Sequence, residues 1–158
     1  DSVPADTCIN IDLKSVGAVH AVADFVAARG LQDRVLVGCF SQQRMRQFRR
    51  ITAGSVATSA NPPEVAAFLA APTQALARAA GRGFDALQVP RRRGGVPVTT
   101  ARLVRRAHAL GKHVHVWTID DADEMRELLA LGVDGLVTDR TDVLRDVLVE
   151  EGRWRGTP

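Results

Sequence analysis

Asp12 and Lys14 stand two residues apart in Cys8-Ile9-Asn10-Ile11-Asp12-Leu13-Lys14, a segment that alternates strictly between apolar and polar side chains. Period-2 alternation marks a strand with two chemically different faces, so Ile9, Ile11 and Leu13 share one face and Asn10, Asp12 and Lys14 the other. If the apolar face packs on helices, the polar face lines an interior. There a carboxylate and an ammonium are costly unless they meet a ligand, a metal or each other. A carboxylate and an ammonium two residues apart on one face can also simply be a salt bridge. A second group of candidates lies in Val114 to Asp120 and Gly132 to Arg140, where Trp117, Asp120, Asp139 and Arg140 fall at the ends of two further strands. Ligands of parallel α/β proteins gather at the carboxyl ends of strands, so these residues are placed where chemistry would be.

Arginine is concentrated in Arg49-Arg50, Arg91-Arg92-Arg93 and Arg105-Arg106. Such pairs read as solvated helix faces, except that Arg91 directly follows a strand and could attract an anionic substrate. The loop Arg91 to Gly95 contains neither GxGxxG nor GK[ST], so anion attraction by arginine side chains is all it supports. His113 and His115, at i and i+2 on one strand, have the spacing of a metal-binding HxH pair. His113 lies at the strand's start, away from the expected mouth, which favours interior packing for both rings.

The elements that must position these residues follow from periodicity and punctuation. After the strand at 8–14, a helix is expected over about Val16 to Ala28, closed by Gly30. A nearly all-apolar strand, Val35 to Phe40, leads to a helix capped by Ser41, with Met45, Phe48 and Ile51 inward. Phe40, at that strand's end, is either core or the wall of a substrate pocket. A weaker strand at Ser55 to Ala60 precedes a helix opened by Pro62-Pro63 and broken at Pro72, with Thr73 to Ala80 continuing helical. Then come a strand at Asp85 to Pro90, a helix from Thr99 or Thr100 through Leu110, and a strand at 113–118. A helix over Asp121 to Leu131 with Asp120 as its cap, a strand at Gly135 to Thr138, a helix over about Asp142 to Glu150 and a tail at 152–158 complete the chain.

These are six strands, each followed by a helix, with no linker or composition break, so residues 1–158 read as a single domain. The pattern is that of a (β/α) barrel or part of one, with a doubly wound open sheet as the alternative; the polar strand face favours the barrel. With 46% hydrophobic and 25% charged residues the chain can bury a sizeable core. No run approaches a membrane span, and the first residues lack the regions of a signal peptide, so a cytoplasmic protein is expected, with an upstream signal left open by the start on Asp1. Nucleic acid is not an expected partner, because the net charge is only +3 and aromatic content 4%. Cys8 and Cys39 fall at opposite ends of their strands, about 20 Å apart in level, so both are expected reduced.

The ordered set Asn10-Ile11-Asp12-Leu13-Lys14, Cys39-Phe40-Ser41, Val116-Trp117-Thr118-Ile119-Asp120 and Asp134-Gly135-Leu136-Val137-Thr138-Asp139-Arg140 resembles the C-terminal part of the glycerophosphodiester phosphodiesterase family. The resemblance covers nearly the whole chain. It implies a TIM-type barrel, here an incomplete one of about six β/α units, and metal-dependent hydrolysis of glycerophosphodiesters to glycerol 3-phosphate and an alcohol. By this resemblance Asp12 matches an acidic ligand of Mg²⁺ or Ca²⁺, Lys14 a lysine that meets the phosphate, and Phe40 and Trp117 residues lining the pocket near the glycerol moiety. Asp12 and Cys39 depart from the commoner glutamate and serine. The shorter carboxylate would draw a metal nearer the strand or leave a water between them.

None of His20, His108, His113 or His115 is followed by Arg-Gly, so the family's His-Arg-Gly motif, its paired acidic metal ligands and its second catalytic histidine have no counterpart here. The expectation is of a chain inactive alone, with the strands at 8–14 and 135–138 as open edges that call for a homo-oligomer or a complementing N-terminal segment. A non-catalytic phosphate-binding or interaction module, with Lys14 and Arg91 to Arg93 holding the anion, is the reading from another class.

Overall fold

The computed structural model describes residues 3, 4 and 6–156. By its contacts the chain forms two units, Asp1–Leu87 and Gln88–Pro158.

In the first unit β1 (Ile9–Asp12) is followed by α1 (Gly17–Arg29), β2 (Val35–Gly38) by α2 (Gln42–Ile51), and β3 (Ala57–Thr58) by α3 (Pro62–Ala70) and α4 (Gln74–Ala80). The strands form a parallel sheet in the order β1-β2-β3, with Ile9 opposite Val35 and Asp12 opposite Gly38. The alternation of β1 is realised: Ile9 and Ile11 pack toward the core, Leu13 beyond them is buried, and Asn10, Asp12 and Lys14 face out. Val19, Val26, Val37, Met45 and Phe48 are fully buried around Leu13, each such burial worth about 1.5–3 kcal/mol. Gly30 closes α1 in the left-handed conformation, φ 62°, which no Cβ obstructs. Asn61 and Glu64 form a reciprocal capping box at the start of α3, and Pro62 and Pro63 occupy its first turn, where a missing N–H costs nothing.

Three expectations change in this unit. The strand expected over 55–60 is cut to Ala57–Thr58, extended only by an isolated bridge between Ser59 and Ala86, because the following residues turn to cap α3. Ile51, expected inward, is 39% exposed. The largest change is Arg49, expected on a solvated helix face. Its Nε donates to Thr58 Oγ1 (2.9 Å), its Nη1 to Glu64 Oε1 (2.5 Å), and its Nη2 to the Ser59 carbonyl (3.1 Å) and Glu64 Oε2 (3.2 Å). The fork therefore ties the end of α2 to β3 and to the first turn of α3.

In the second unit, β4 (Ala86–Pro90) supplies Gln88–Pro90, followed by a hairpin of β5 (Arg92–Arg93) and β6 (Val96–Pro97), then α5 (Ala101–His108), β7 (His113–Trp117), α6 (Ala122–Leu131), β8 (Gly135–Leu136) and α7 (Thr141–Glu150). The strand order is β4-β7-β8. Val114 and Val116 are fully buried, as are Met125 and Leu128 of α6, while His113, His115 and Trp117 share the other strand face, as the alternation implies. The segment expected as a loop at 91–95 is the hairpin instead.

Gly135 pairs with His115 across β7 and β8. A Cβ on Gly135 would lie 2.9 Å from His115 Cδ2 and 3.3 Å from its Cγ. The half-buried imidazole occupies the space a side chain would need. Gly135→Ala is therefore expected to destabilise the protein by about 1–3 kcal/mol, read as a lower urea midpoint at unchanged slope. Wild-type stability in the variant would show that the ring moves aside freely.

Candidate functional site

In the first unit the sequence candidates converge on the carboxyl ends of two adjacent strands. Lys14 Nζ lies 2.5 Å from Asp12 Oδ2, and the two side chains are 79% and 39% exposed. Phe40, 61% exposed, follows the neighbouring strand β2. The turn that presents them is held by residues to which the sequence reading assigned no role there. Arg44 Nη1 donates to the Lys14 carbonyl (3.0 Å) and its Nε to Cys39 Sγ (3.4 Å); the Cys39 thiol donates to the Leu13 carbonyl (3.2 Å). Cys39 is thus a buried, hydrogen-bonded thiol beneath the site, and Cys8 is exposed and unpaired. The only advance signal for Arg44 was its place in the first turn of a helix capped by Ser41, whose Oγ accepts the Arg44 N–H.

In the second unit Trp117 ends β7 and is half-buried. Asp120, expected to cap α6, does other work: its Oδ1 accepts the Thr138 hydroxyl and the Asp139 N–H, both at 2.9 Å, and so joins the segments that follow β7 and β8. The cap is Asp121, which accepts the N–H groups of Asp123 and Glu124. Arg140 is paired with Asp142, whose carboxyl it lowers to about 2. Arg91, one residue beyond β4, is ion-paired through Nε with Glu124 (3.2 Å) and through Nη2 with Glu127 (2.5 Å). The Glu127 hydrogen bond raises its pKa further, and its Nη1 is buried with no hydrogen-bond partner.

His108 and His113 belong to a separate cluster around Asp134, at the amino ends of β7 and β8. The Asp134 carboxylate accepts the Val114 N–H (2.7 Å), contacts His108 Nε2 (2.8 Å) and lies 3.6 Å from His113 Nδ1. Burial works against its charge, but the Val114 amide and His108 more than offset this and hold the carboxyl below its ordinary range. Burial also lowers the His115 pKa, with the His113 charge acting the same way and Asp134 opposing. A folded histidine value below the unfolded one means that the unfolded chain takes the extra proton first. Stability is then expected to fall as pH drops through about 6.5 and to keep falling until the folded His115 value is passed. The depressed Asp134 adds stability above the ordinary carboxylate range that is lost only at more acid pH. Melts of wild type and His115→Gln between about pH 7.5 and 5 check the first step. The variant should flatten the slope, and an unchanged slope would assign it to other groups.

Among the described residues no group of three or more His, Cys, Asp or Glu side chains is arranged to hold a metal ion. Asp12 offers one carboxylate, already in contact with an ammonium, whereas Mg²⁺ or Ca²⁺ takes six or more oxygen ligands. These residues do not by themselves make a divalent-cation centre. No helix among the described residues is long and apolar enough to cross a membrane.

The family model for the glycerophosphoryl diester phosphodiesterase family matches residues 6–143. The chain belongs to that family. A Mycobacterium tuberculosis (strain ATCC 25618 / H37Rv) protein named Probable glycerophosphodiester phosphodiesterase 2 is 42% identical over 154 residues, 96% of this chain and 58% of the relative. A solved structure from Silicibacter pomeroyi DSS-3, of a protein assigned to the glycerophosphoryl diester phosphodiesterases, superposes with a TM-score of 0.71 at 23% identity, over 92% of this chain and 51% of that one. A glycerophosphodiester phosphodiesterase from Thermotoga maritima gives 0.63 at 16% identity, covering 92% and 59%. These likenesses show an α/β fold of β–α units. The chain spans little more than half the length of each of these relatives. The match to the glycerophosphoryl diester phosphodiesterase model takes in both site groups, from Asp12 to Trp117.

Proposed function

We propose that the protein hydrolyses glycerophosphodiesters to glycerol 3-phosphate and an alcohol, and that this chain forms about six β/α units of a TIM-type barrel. The observation that carries the reading is the Asp12–Lys14 contact, 2.5 Å, at the carboxyl end of a strand, in a chain of this family. Lys14 meets the phosphate, where an exposed ammonium lowers the cost of the charge that builds up on the oxygens during transfer. Asp12 holds that ammonium and is this chain's carboxylate toward the Mg²⁺ or Ca²⁺ ion of the family, whose remaining ligands these residues do not supply. Phe40 and Trp117 present apolar ring surface to the glycerol moiety and keep water from its carbons. Arg91 is anchored by Glu124 and Glu127 just beyond the end of β4, where its guanidinium adds positive charge toward an anionic substrate.

Among the described residues β1 pairs only with β2, and β8 only with β7. A complementing N-terminal segment or a second copy that pairs these edges fits the barrel reading. Calorimetry with glycerol 3-phosphate tests the phosphate role. Wild type should bind, Lys14→Ala should bind at least tenfold more weakly, and equal affinities would remove Lys14 from the site.

A further inference from the structure

The connection from Pro90 to Thr100 is longer than the few residues that join most strands to helices, and it is built rather than slack. Arg92 pairs with Pro97 and Arg93 with Val96 in an antiparallel hairpin. Gly94 (φ 55°) and Gly95 (φ 80°) supply the two left-handed residues that a tight two-residue turn requires. A two-stranded hairpin is marginal alone, so its base is fastened. The Val98 and Thr99 N–H groups donate to the Arg91 carbonyl (2.9 and 3.2 Å), and the Thr99 hydroxyl donates to the Pro90 carbonyl (3.2 Å). Arg91 itself is clamped to Glu124 and Glu127 of α6.

The charge is distributed unevenly. Two carboxylates are spent on Arg91 at the base. Residues 92–97 are all exposed, Arg92 reaches only the Gly95 carbonyl (2.5 Å), and Arg93 has no ion pair among the described residues. Two unneutralised guanidiniums therefore stand beyond the carboxyl end of β4. The next strand in the sheet is β7, which ends at Trp117. The glycerol side of a glycerophosphodiester is neutral and constant. The charge that varies between substrates is on the alcohol, and a fixed positive field extends about a Debye length, ~8–10 Å, without needing contact.

We propose that the Arg92–Pro97 hairpin is a specificity element that favours glycerophosphodiesters whose alcohol carries an anionic group over those whose alcohol is neutral or carries a quaternary ammonium. This rests on the hydrolytic reading above. An anionic membrane surface is the less favoured occupant, because Val96 is the hairpin's one large exposed hydrophobic residue and interfacial docking needs more buried apolar area than that.

The test compares kcat/KM of the full-length protein for glycerophosphoinositol 4-phosphate, glycerophosphoinositol and glycerophosphocholine. Wild type should prefer the first, and Arg92→Ala/Arg93→Ala should reduce that preference by about tenfold while leaving glycerophosphoinositol turnover nearly unchanged. Arg92→Lys/Arg93→Lys should restore most of the preference, and added salt should erode it in wild type and in the lysine variant but not in the alanine variant. An unchanged ratio in the alanine variant overturns the proposal. If that variant instead stops co-sedimenting with phosphatidylserine vesicles while the ratio stays fixed, the hairpin docks on membranes. Wild type that hydrolyses none of the three diesters overturns the functional reading and this inference with it, an outcome distinct from turnover without charge selectivity.

Discussion

Replacing Lys14 with alanine in the full-length protein is expected to lower kcat/KM for glycerophosphocholine by about 10²–10³-fold and to leave the melting temperature nearly unchanged. The two halves of this expectation have different physical sources. Lys14 is 79% exposed and its pair with Asp12 is a surface ion pair, so high dielectric and side-chain entropy leave it worth about 0–1 kcal/mol to the fold. On the proposed function the same ammonium would face the dianionic transition state of the diester, where charge develops. Lys14→Arg should recover binding better than turnover, since the planar fork keeps the charge but spreads it differently. Steady-state kinetics beside a thermal melt separates the cases. Loss of activity in step with loss of stability would make Lys14 structural.

Arg49→Ala carries the largest expected cost in stability, about 2–4 kcal/mol, against less than about 0.5 kcal/mol for Arg50→Ala at the next position. Arg49 and Glu64 are 17% and 19% exposed. Removing the guanidinium leaves a largely buried carboxylate without its countercharge, together with Thr58 Oγ1 and the Ser59 carbonyl short of a donor. Glu64 also accepts the Asn61 N–H, so the capping box of α3 loosens with it. Arg49→Lys should fall between the two, because an ammonium keeps the charge and loses the bidentate geometry. Urea denaturation of the three variants decides it, and equal midpoints for Arg49→Ala and Arg50→Ala would return Arg49 to the solvated face.

Local signals accounted for most of the elements. The alternation in 9–14, Gly30 after a helical stripe, Ser41 and Thr100 as caps, Pro62-Pro63 at a helix start and the break at Pro72 all act within a few residues. What escaped depends on distant partners. Arg49 is drawn inward by residues 9 to 15 positions away, which no periodicity reports. The strand expected over 55–60 shortens to Ala57–Thr58, because Asn61 turns away to cap α3 through its contact with Glu64. The Gly94-Gly95 pair is a hairpin cue, but no alternating apolar runs flank it, and the two-residue strands exist only through their mutual pairing. At the site, Asp12 and Lys14 were marked by a polar face that cannot be explained by packing, and Phe40 and Trp117 by their position at strand ends. Arg44 was hidden, since its contacts with Cys39 and the Lys14 carbonyl exist only after β1 and β2 pair.

The most direct test of the functional reading is the product. Full-length protein incubated with glycerophosphocholine and Mg²⁺ or Ca²⁺ is followed by phosphorus NMR. The account predicts that the diester signal is replaced by that of glycerol 3-phosphate, that a chelator stops the conversion, and that Asp12→Asn slows it by at least about tenfold. Phosphocholine as the product, or conversion indifferent to both the chelator and Asp12, would contradict it.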